Sequence, residues 1–214
     1  MEKQLYIFDM DGVLVDTEPL YIQMNKAFLN KHDAIISDEE YNQFIGIHAH
    51  KMWQYLKDKF NLSYTVEELI VMEKQNKYTL LEQTNLVPIA GVVDVLETLK
   101  TQQKQIALAS SSMRKNIELI LTKTKLKPYF DYMVSGEEVQ HGKPAPDIFL
   151  KAMNHFRQTT ENCIVIEDAK NGVLAAKAAN MYCIGFQNIH SGNQDLSQAD
   201  KIVSSIKEIT ALLN

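Results

Sequence analysis

Leu5-Tyr6-Ile7-Phe8-Asp9-Met10-Asp11-Gly12-Val13-Leu14-Val15-Asp16-Thr17-Glu18 is the stretch on which the reading of this chain turns. Its first four residues are apolar and suit a short strand buried inside a parallel sheet. A strand that runs into Asp-x-Asp-Gly sets two carboxylates at the carboxyl edge of a sheet, where open α/β folds bind their ligands. Alternation directs Asp9 and Asp11 to one side, and Gly12 lets the backbone turn sharply beside them. Two anions held that close repel each other unless a cation sits between them or one is protonated. The pair therefore points to a divalent metal, a poised acid, or both. Asp and Gly are also ordinary turn residues, so the stretch alone leaves a plain surface turn open.

Outward from this stretch the hydrophobic period changes. Thr17-Glu18-Pro19-Leu20 reads as a helix start, with Thr17 as candidate N-cap and Pro19 in the first turn. Tyr21, Met24, Ala27 and Phe28 continue an apolar stripe to about Lys31, and further helices are expected over 37–45, 48–60 and 65–84. No strand pattern interrupts this block. From Pro88 an α/β rhythm takes over, with strands expected at 105–109, 132–135, 163–166, 181–185 and, at an edge, from Lys201. Helices are expected between them at 91–102, 113–124, 146–156 and 171–179, with a last helix from Ser204. Such spacing implies right-handed crossovers and a parallel sheet. The fold class is thus α/β, a Rossmann-like parallel-sheet core over 1–15 and 87–214, with an all-helical cap inserted over 16–86.

Composition narrows the partners. With 214 residues, 45% of them hydrophobic, the chain can build a substantial core. A formal net charge of −5 disfavours nucleic acid and anionic membrane surfaces as partners. No run approaches the roughly 20 apolar residues of a membrane span, and with a first strand this near the first residue no signal peptide is expected. Cys163 and Cys183 lie in apolar strand-like runs and are expected as buried free thiols. A cytoplasmic monomer is the expectation.

Three more stretches follow Asp9–Gly12 in order. Gln105-Ile106-Ala107-Leu108-Ala109-Ser110 is a strand ending in a hydroxyl, His141-Gly142-Lys143-Pro144-Ala145-Pro146-Asp147 is a loop carrying a lysine, and Cys163-Ile164-Val165-Ile166-Glu167-Asp168 is a strand ending in paired acids. Together the four resemble the motifs of the haloacid dehalogenase superfamily, over nearly the whole chain. The resemblance implies a Rossmann-like core with a small helical cap, and phosphoryl transfer through an aspartate nucleophile. Carried onto these positions, Asp9 is the nucleophile and Asp11 the acid–base that serves the leaving group and then water. Ser110 and Lys143 bind the phosphoryl group, and Lys143 helps hold Asp9 ionised. The resemblance implies Mg²⁺ as cofactor, held by Asp9, the backbone carbonyl of Asp11 and Asp168, with Glu167 a ligand directly or through water. All-oxygen ligation suits Mg²⁺, and no His/Cys cluster with zinc-like spacing competes. The backbone after Ser110, at Ser111 and Ser112 where the next helix starts, is expected to add to the anion site.

Lys143-Pro144-Ala145-Pro146-Asp147-Ile148-Phe149 looks most like the β-phosphoglucomutase-like branch. Two departures count against a mutase. The first cap helix opens Glu18-Pro19-Leu20-Tyr21 and lacks the expected His, and Ala49 stands where mutases carry an Arg after Gly46-Ile47-His48. Asp16-Thr17-Glu18-Pro19 is similar to small-molecule phosphatases of the branch. Candidate substrate contacts are Glu18, Gly46, His48, Ser111, Ser112 and Arg114. The expected function is a Mg²⁺-dependent phosphatase acting on a small phosphorylated metabolite, a sugar phosphate by preference, through an aspartyl-phosphate. β-Phosphoglucomutase is the alternative within the class, and a non-catalytic metabolite-binding regulator the alternative outside it.

Overall fold

The computed structural model describes residues 3–47 and 49–212. In chain order the elements are β1 (Leu5–Phe8), α1 (Glu18–Asn30), α2 (Asp38–Asn42), α3 (Ala49–Phe60), α4 (Val66–Gln83) and α5 (Val92–Thr101). They continue with β2 (Gln105–Ser110), α6 (Arg114–Lys123), β3 (Tyr132–Ser135), α7 (Asp147–His155), β4 (Cys163–Glu167) and α8 (Lys170–Ala178). β5 (Tyr182–Phe186), β6 (Lys201–Val203) and α9 (Lys207–Leu212) complete the chain. Short 3₁₀ turns at Lys127–Tyr129, Gly136–Glu138 and Thr160–Asn162 join some of them. Among the described residues no helix is long and apolar enough to cross a membrane.

The strands form one sheet in the order β3-β2-β1-β4-β5-β6, every neighbouring pair parallel. β1 lies between β2 and β4, so its side chains are covered on both faces, which is why Leu5–Phe8 is apolar without alternation. Leu5 and Ile7 join Val165, Phe149, Ile148 and Val173 in a core closed by α7 and α8. Tyr6 and Phe8 point the opposite way by alternation, and Phe8 meets Phe130 edge-on at 6.3 Å. After β1 the chain builds β2 and β3 outward on one side, then crosses to place β4 on the other. The reversal leaves a switch point at the carboxyl ends of β1 and β4, where such folds open a crevice. Both cysteines are buried and free, and burial pushes the Cys163 thiol up to about 11.

Contacts divide the chain into two units, Met1–Asp16 with Leu86–Asn214, and Thr17–Asn85. The second unit is helical throughout. Its core gathers Leu29, Tyr41, Met52, Trp53, Leu56, Val66 and Leu69 from α1 to α4. Ser37 and Thr65 cap α2 and α4 through their hydroxyls, Thr65 in a reciprocal box with Glu68. Thr17 departs from expectation. It has helical dihedrals (φ −94°, ψ −23°) and makes no side-chain cap, because the chain already coils before Glu18.

One carboxylate lies inside this helical core. Glu73 of α4 is 5% exposed and accepts from Trp53 Nε1 at 2.7 Å, Asn25 Nδ2 at 3.4 Å and Lys77 Nζ at 2.8 Å. Asn25 also donates to the Tyr41 hydroxyl at 2.7 Å, so all four helices meet on one polar cluster. Glu73→Ala is expected to cost about 2–3 kcal/mol by stranding the indole N–H and the ammonium. The single tryptophan of the chain is Trp53, so its fluorescence in a urea titration reads the loss directly.

Candidate active site

The ends of β1, β2 and β4 carry the acidic and hydroxyl side chains, and the loop before α7 brings the lysine over them. Asp9 follows β1 directly, and its N–H donates to Ile166 O of β4 at 3.0 Å, prolonging the ladder by one residue. That register sets Asp9 beside the end of β4, and ligand oxygens of Asp9, Glu167 and Asp168 lie within 4.8 Å of one another. All three acids are buried.

Lys143 is 8% exposed, and its ammonium reaches three acceptors: Asp9 Oδ1 at 2.6 Å, Glu167 Oε1 at 2.7 Å and Ala109 O at 3.1 Å. Three donors meet three acceptors, so the group is saturated and its direction is set. The Phe149 ring adds a cation–π contact at 5.1 Å. The loop is held by its own sequence. Asp147, opening α7, accepts from the His141 N–H at 3.2 Å and contacts His141 Nδ1 at 3.1 Å, while Ala145 N donates to Gly142 O at 3.0 Å.

Glu167 serves the lysine. One of its oxygens takes Lys143, and the other accepts from the N–H groups of Asp168 at 2.9 Å and Ala169 at 3.0 Å, where α8 begins. Gly172 makes room for it, since a Cβ there would fall 1.7 Å from Glu167 Oε1. Glu167 was expected as a metal ligand directly or through water; both of its oxygens accept hydrogen bonds, and it stays within the group of carboxylates whose oxygens lie within 4.8 Å of one another.

Burial pushes the Asp9 carboxyl up to about 7, with Glu167 and Asp11 adding to the rise and Lys143 opposing it. Lys143 therefore offsets part of what ionising Asp9 costs here. For Lys143 itself, burial works against the charge, but Asp9 and Glu167 outweigh it and hold the group above the ordinary lysine value. A further cation would relieve the remaining negative charge. Buried carboxylate oxygens grouped this closely, with no thiolate or imidazole among them, fit a hard divalent ion such as Mg²⁺.

Asp11 belongs to the same cluster. Its Oδ2 accepts from Ser112 Oγ at 2.7 Å and faces Ser110 Oγ at 3.4 Å. Ser110 is fully buried; its oxygen accepts from the Ser112 N–H at 3.1 Å while its own proton is donated to Asp11 Oδ2. Ser111 is exposed at the turn.

Arg114 N donates to Glu137 Oε2 at 2.9 Å, so a carboxylate of the chain already caps α6. The Arg114 guanidinium, expected to meet substrate, pairs with Glu138 and donates to Met133 O at 2.9 Å, tying α6 to β3. Of the cap candidates, Glu18 opens α1 and Gly46 occupies an exposed left-handed turn (φ 77°). His48 lies outside the described residues.

Sequence reading overlooked Asn188 and Ser191, both buried in the loop after β5. Ser191 Oγ donates to Asp168 Oδ2, and Asn188 Nδ2 donates to Gly12 O at 2.8 Å and Asp16 Oδ1 at 2.6 Å. Polar residues just past a fifth strand at the same sheet edge were the available signal.

Residues 6–186 match the family model described as haloacid dehalogenase-like hydrolase. The phosphorylated carbohydrates phosphatase of Thermotoga maritima is 29% identical over 95% of this chain and 98% of its own. Hexitol phosphatase B of Escherichia coli is 30% identical over 96% of this chain and 93% of its own. A crystal structure of a β-phosphoglucomutase-like protein from Thermotoga maritima superposes with a TM-score of 0.79 at 30% identity, over 100% of this chain and 98% of that one. With its parallel sheet, its acidic crevice and its lysine at these positions, the chain belongs to the haloacid dehalogenase-like hydrolases, as an enzyme of the branch that holds carbohydrate phosphatases and β-phosphoglucomutase-like proteins.

Proposed function

We propose that the chain is a Mg²⁺-dependent phosphatase that hydrolyses a small phosphorylated carbohydrate through phospho-Asp9. The observation that carries this reading is the Lys143 ammonium between Asp9 and Glu167, at 2.6 and 2.7 Å, with Asp168 adjoining at the sheet's switch point. The similarity to two phosphatases of sugar and sugar-alcohol phosphates supports the substrate class.

Asp9, Asp168 and the backbone carbonyl of Asp11 would hold Mg²⁺. When bound, the ion neutralises phosphoryl charge and orients the group for in-line displacement. Asp9 attacks phosphorus, while Lys143 keeps one of its oxygens fixed and adds positive charge beside the transferring group. Ser110 turns its proton from Asp11 to a phosphoryl oxygen. Asp11, steered by Ser112, gives its proton to the departing alkoxide and then takes one from the water that cleaves phospho-Asp9. Glu167 acts as the ammonium's second counterion.

A single incubation tests both activity and outcome. With Mg²⁺, a panel of hexose and hexitol phosphates is expected to release inorganic phosphate. β-Glucose 1-phosphate with a bisphosphate primer is included, and glucose 6-phosphate is measured in the same tube. Clean isomerisation with no phosphate release would replace the phosphatase reading by a mutase.

A further inference from the structure

In the loop that follows β5, burial runs against polarity. Asn188 is 7% exposed and Ser191 2%, while Ile189 between them is 87% exposed. Apolar side chains ordinarily take the inside, so a loop that buries its polar residues and shows its isoleucine to solvent is shaped by hydrogen bonds. Those bonds converge on the acidic crevice. Ser191 Oγ donates to Asp168 Oδ2. Asn188 spends both amide protons on the Asp-x-Asp-Gly loop, one on Gly12 O and one on Asp16 Oδ1, and its oxygen accepts from His190 N at 2.9 Å.

The contact is close. A Cβ on Gly12 would lie 2.0 Å from Asp168 Oδ2 and 2.8 Å from Ser191 Oγ, so the three are clasped where Gly12 turns through φ 80°. The loop has no regular structure, yet it is anchored on independent elements. Gln187 N donates to Val203 O of β6 at 2.8 Å, Gln194 Nε2 to Ser191 O at 3.1 Å, and Lys170 N at the start of α8 to Gln194 Oε1 at 3.1 Å.

We propose that Ser191 and Asn188 are positioning residues for the cation site: Ser191 orients the Asp168 carboxylate, and Asn188 holds the loop of Asp9 and Asp11 against it. This rests on the reading of Asp168 as a Mg²⁺ ligand. A carboxylate with one oxygen held by a donor has its rotation restrained before the ion arrives, and loss of such outer partners weakens metal binding by about 10–100-fold. Asn188 acts on the other side of the same site, since the Gly12 carbonyl and Asp16 bracket the turn that directly follows Asp11.

Calorimetric titration of the purified protein with MgCl₂ alone, without substrate, tests this. Ser191→Ala and Asn188→Ala are expected to weaken Mg²⁺ binding by about 10-fold or more, and Ser191→Thr, which keeps the hydroxyl, is expected to restore it. Asp168→Asn is the reference. If it abolishes binding while Ser191→Ala and Asn188→Ala bind as the parent does, the positioning role is overturned and the metal site stands. If Asp168→Asn binds as the parent does, the reading of Asp168 as a ligand falls, and this inference falls with it. Failure of Ser191→Thr to restore binding would overturn the hydroxyl's part. Should Ser191→Ala not fold, Asn188→Ala alone decides, because a merely structural role would lower its melting temperature and leave the affinity unmoved.

Discussion

Asp9→Asn is expected to abolish phosphate release, by about 10⁴–10⁶-fold, while the chain remains folded. The amide keeps the size of the carboxylate and retains an oxygen to accept from Lys143, so the hydrogen bond at 2.6 Å has a successor. It cannot attack phosphorus as a carboxylate does. Retained turnover would refute the phospho-aspartate route. The same variant carries a pH signature. The Asp9 carboxyl is raised from 3.8 to about 7, above all by burial. Between these values the folded chain holds a proton that the unfolded chain releases. Stability from this group is therefore greatest below about pH 4, declines as pH rises, and is lost beyond about pH 7. Asparagine has no such proton. In EDTA, urea denaturation should find the variant gaining on the parent between about pH 4 and pH 7. A constant difference across that range would mean that Asp9 ionises in the folded protein as readily as in the unfolded chain.

Lys143→Met is expected to stop turnover and, unlike Asp9→Asn, to destabilise the fold by about 3–5 kcal/mol. The lysine is 8% exposed and bonded to two carboxylates, one of them 1% exposed, so its removal strands charge rather than releasing it to water. Methionine keeps an aliphatic stem and deletes the ammonium with its contact over the Phe149 ring, which isolates the electrostatic effect. Adding Glu167→Gln to this variant removes one of the stranded charges. The double variant should recover part of the lost stability and none of the activity. A double variant no more stable than Lys143→Met would show that Glu167 is not the counterion the geometry makes it.

The two substitutions also explain why the site is built from so many acids. Metal-free, the crevice concentrates negative charge, and the cost appears in the raised Asp9. The same charge would draw the divalent ion proposed for this site to where a phosphoryl group is to be neutralised. On that reading, stability is given up at one edge of the sheet in exchange for a cation site.

Much of this was legible in the chain itself, and the legible part was local. Strand ends at Asp9, Ser110 and Glu167 follow from apolar runs meeting polar residues. The helical block after Asp16 follows from a period of 3.6. Parallel pairing follows from helices of crossover length between strands. What escaped was any partnership across the chain. Asn188 meets Gly12 across 176 residues, and Ser191 meets Asp168 only because β4 and β5 pair in one register. The resemblance offers Arg114 as a substrate contact, and its position in the chain cannot disclose that Glu138, from just past the next strand, pairs with it. Thr17 was read as a cap from its residue type, which carries no information about the dihedrals the chain adopts there. Periodicity and turn chemistry act over a few residues, and so the sequence by itself determined which segments are strands and helices and which acids end them. The order β3-β2-β1-β4-β5-β6, the meeting of Asp9 with Lys143 and Glu167, and the hold of the last loop on Asp168 were decided by the tertiary structure, because hydrogen bonds choose partners by distance in space.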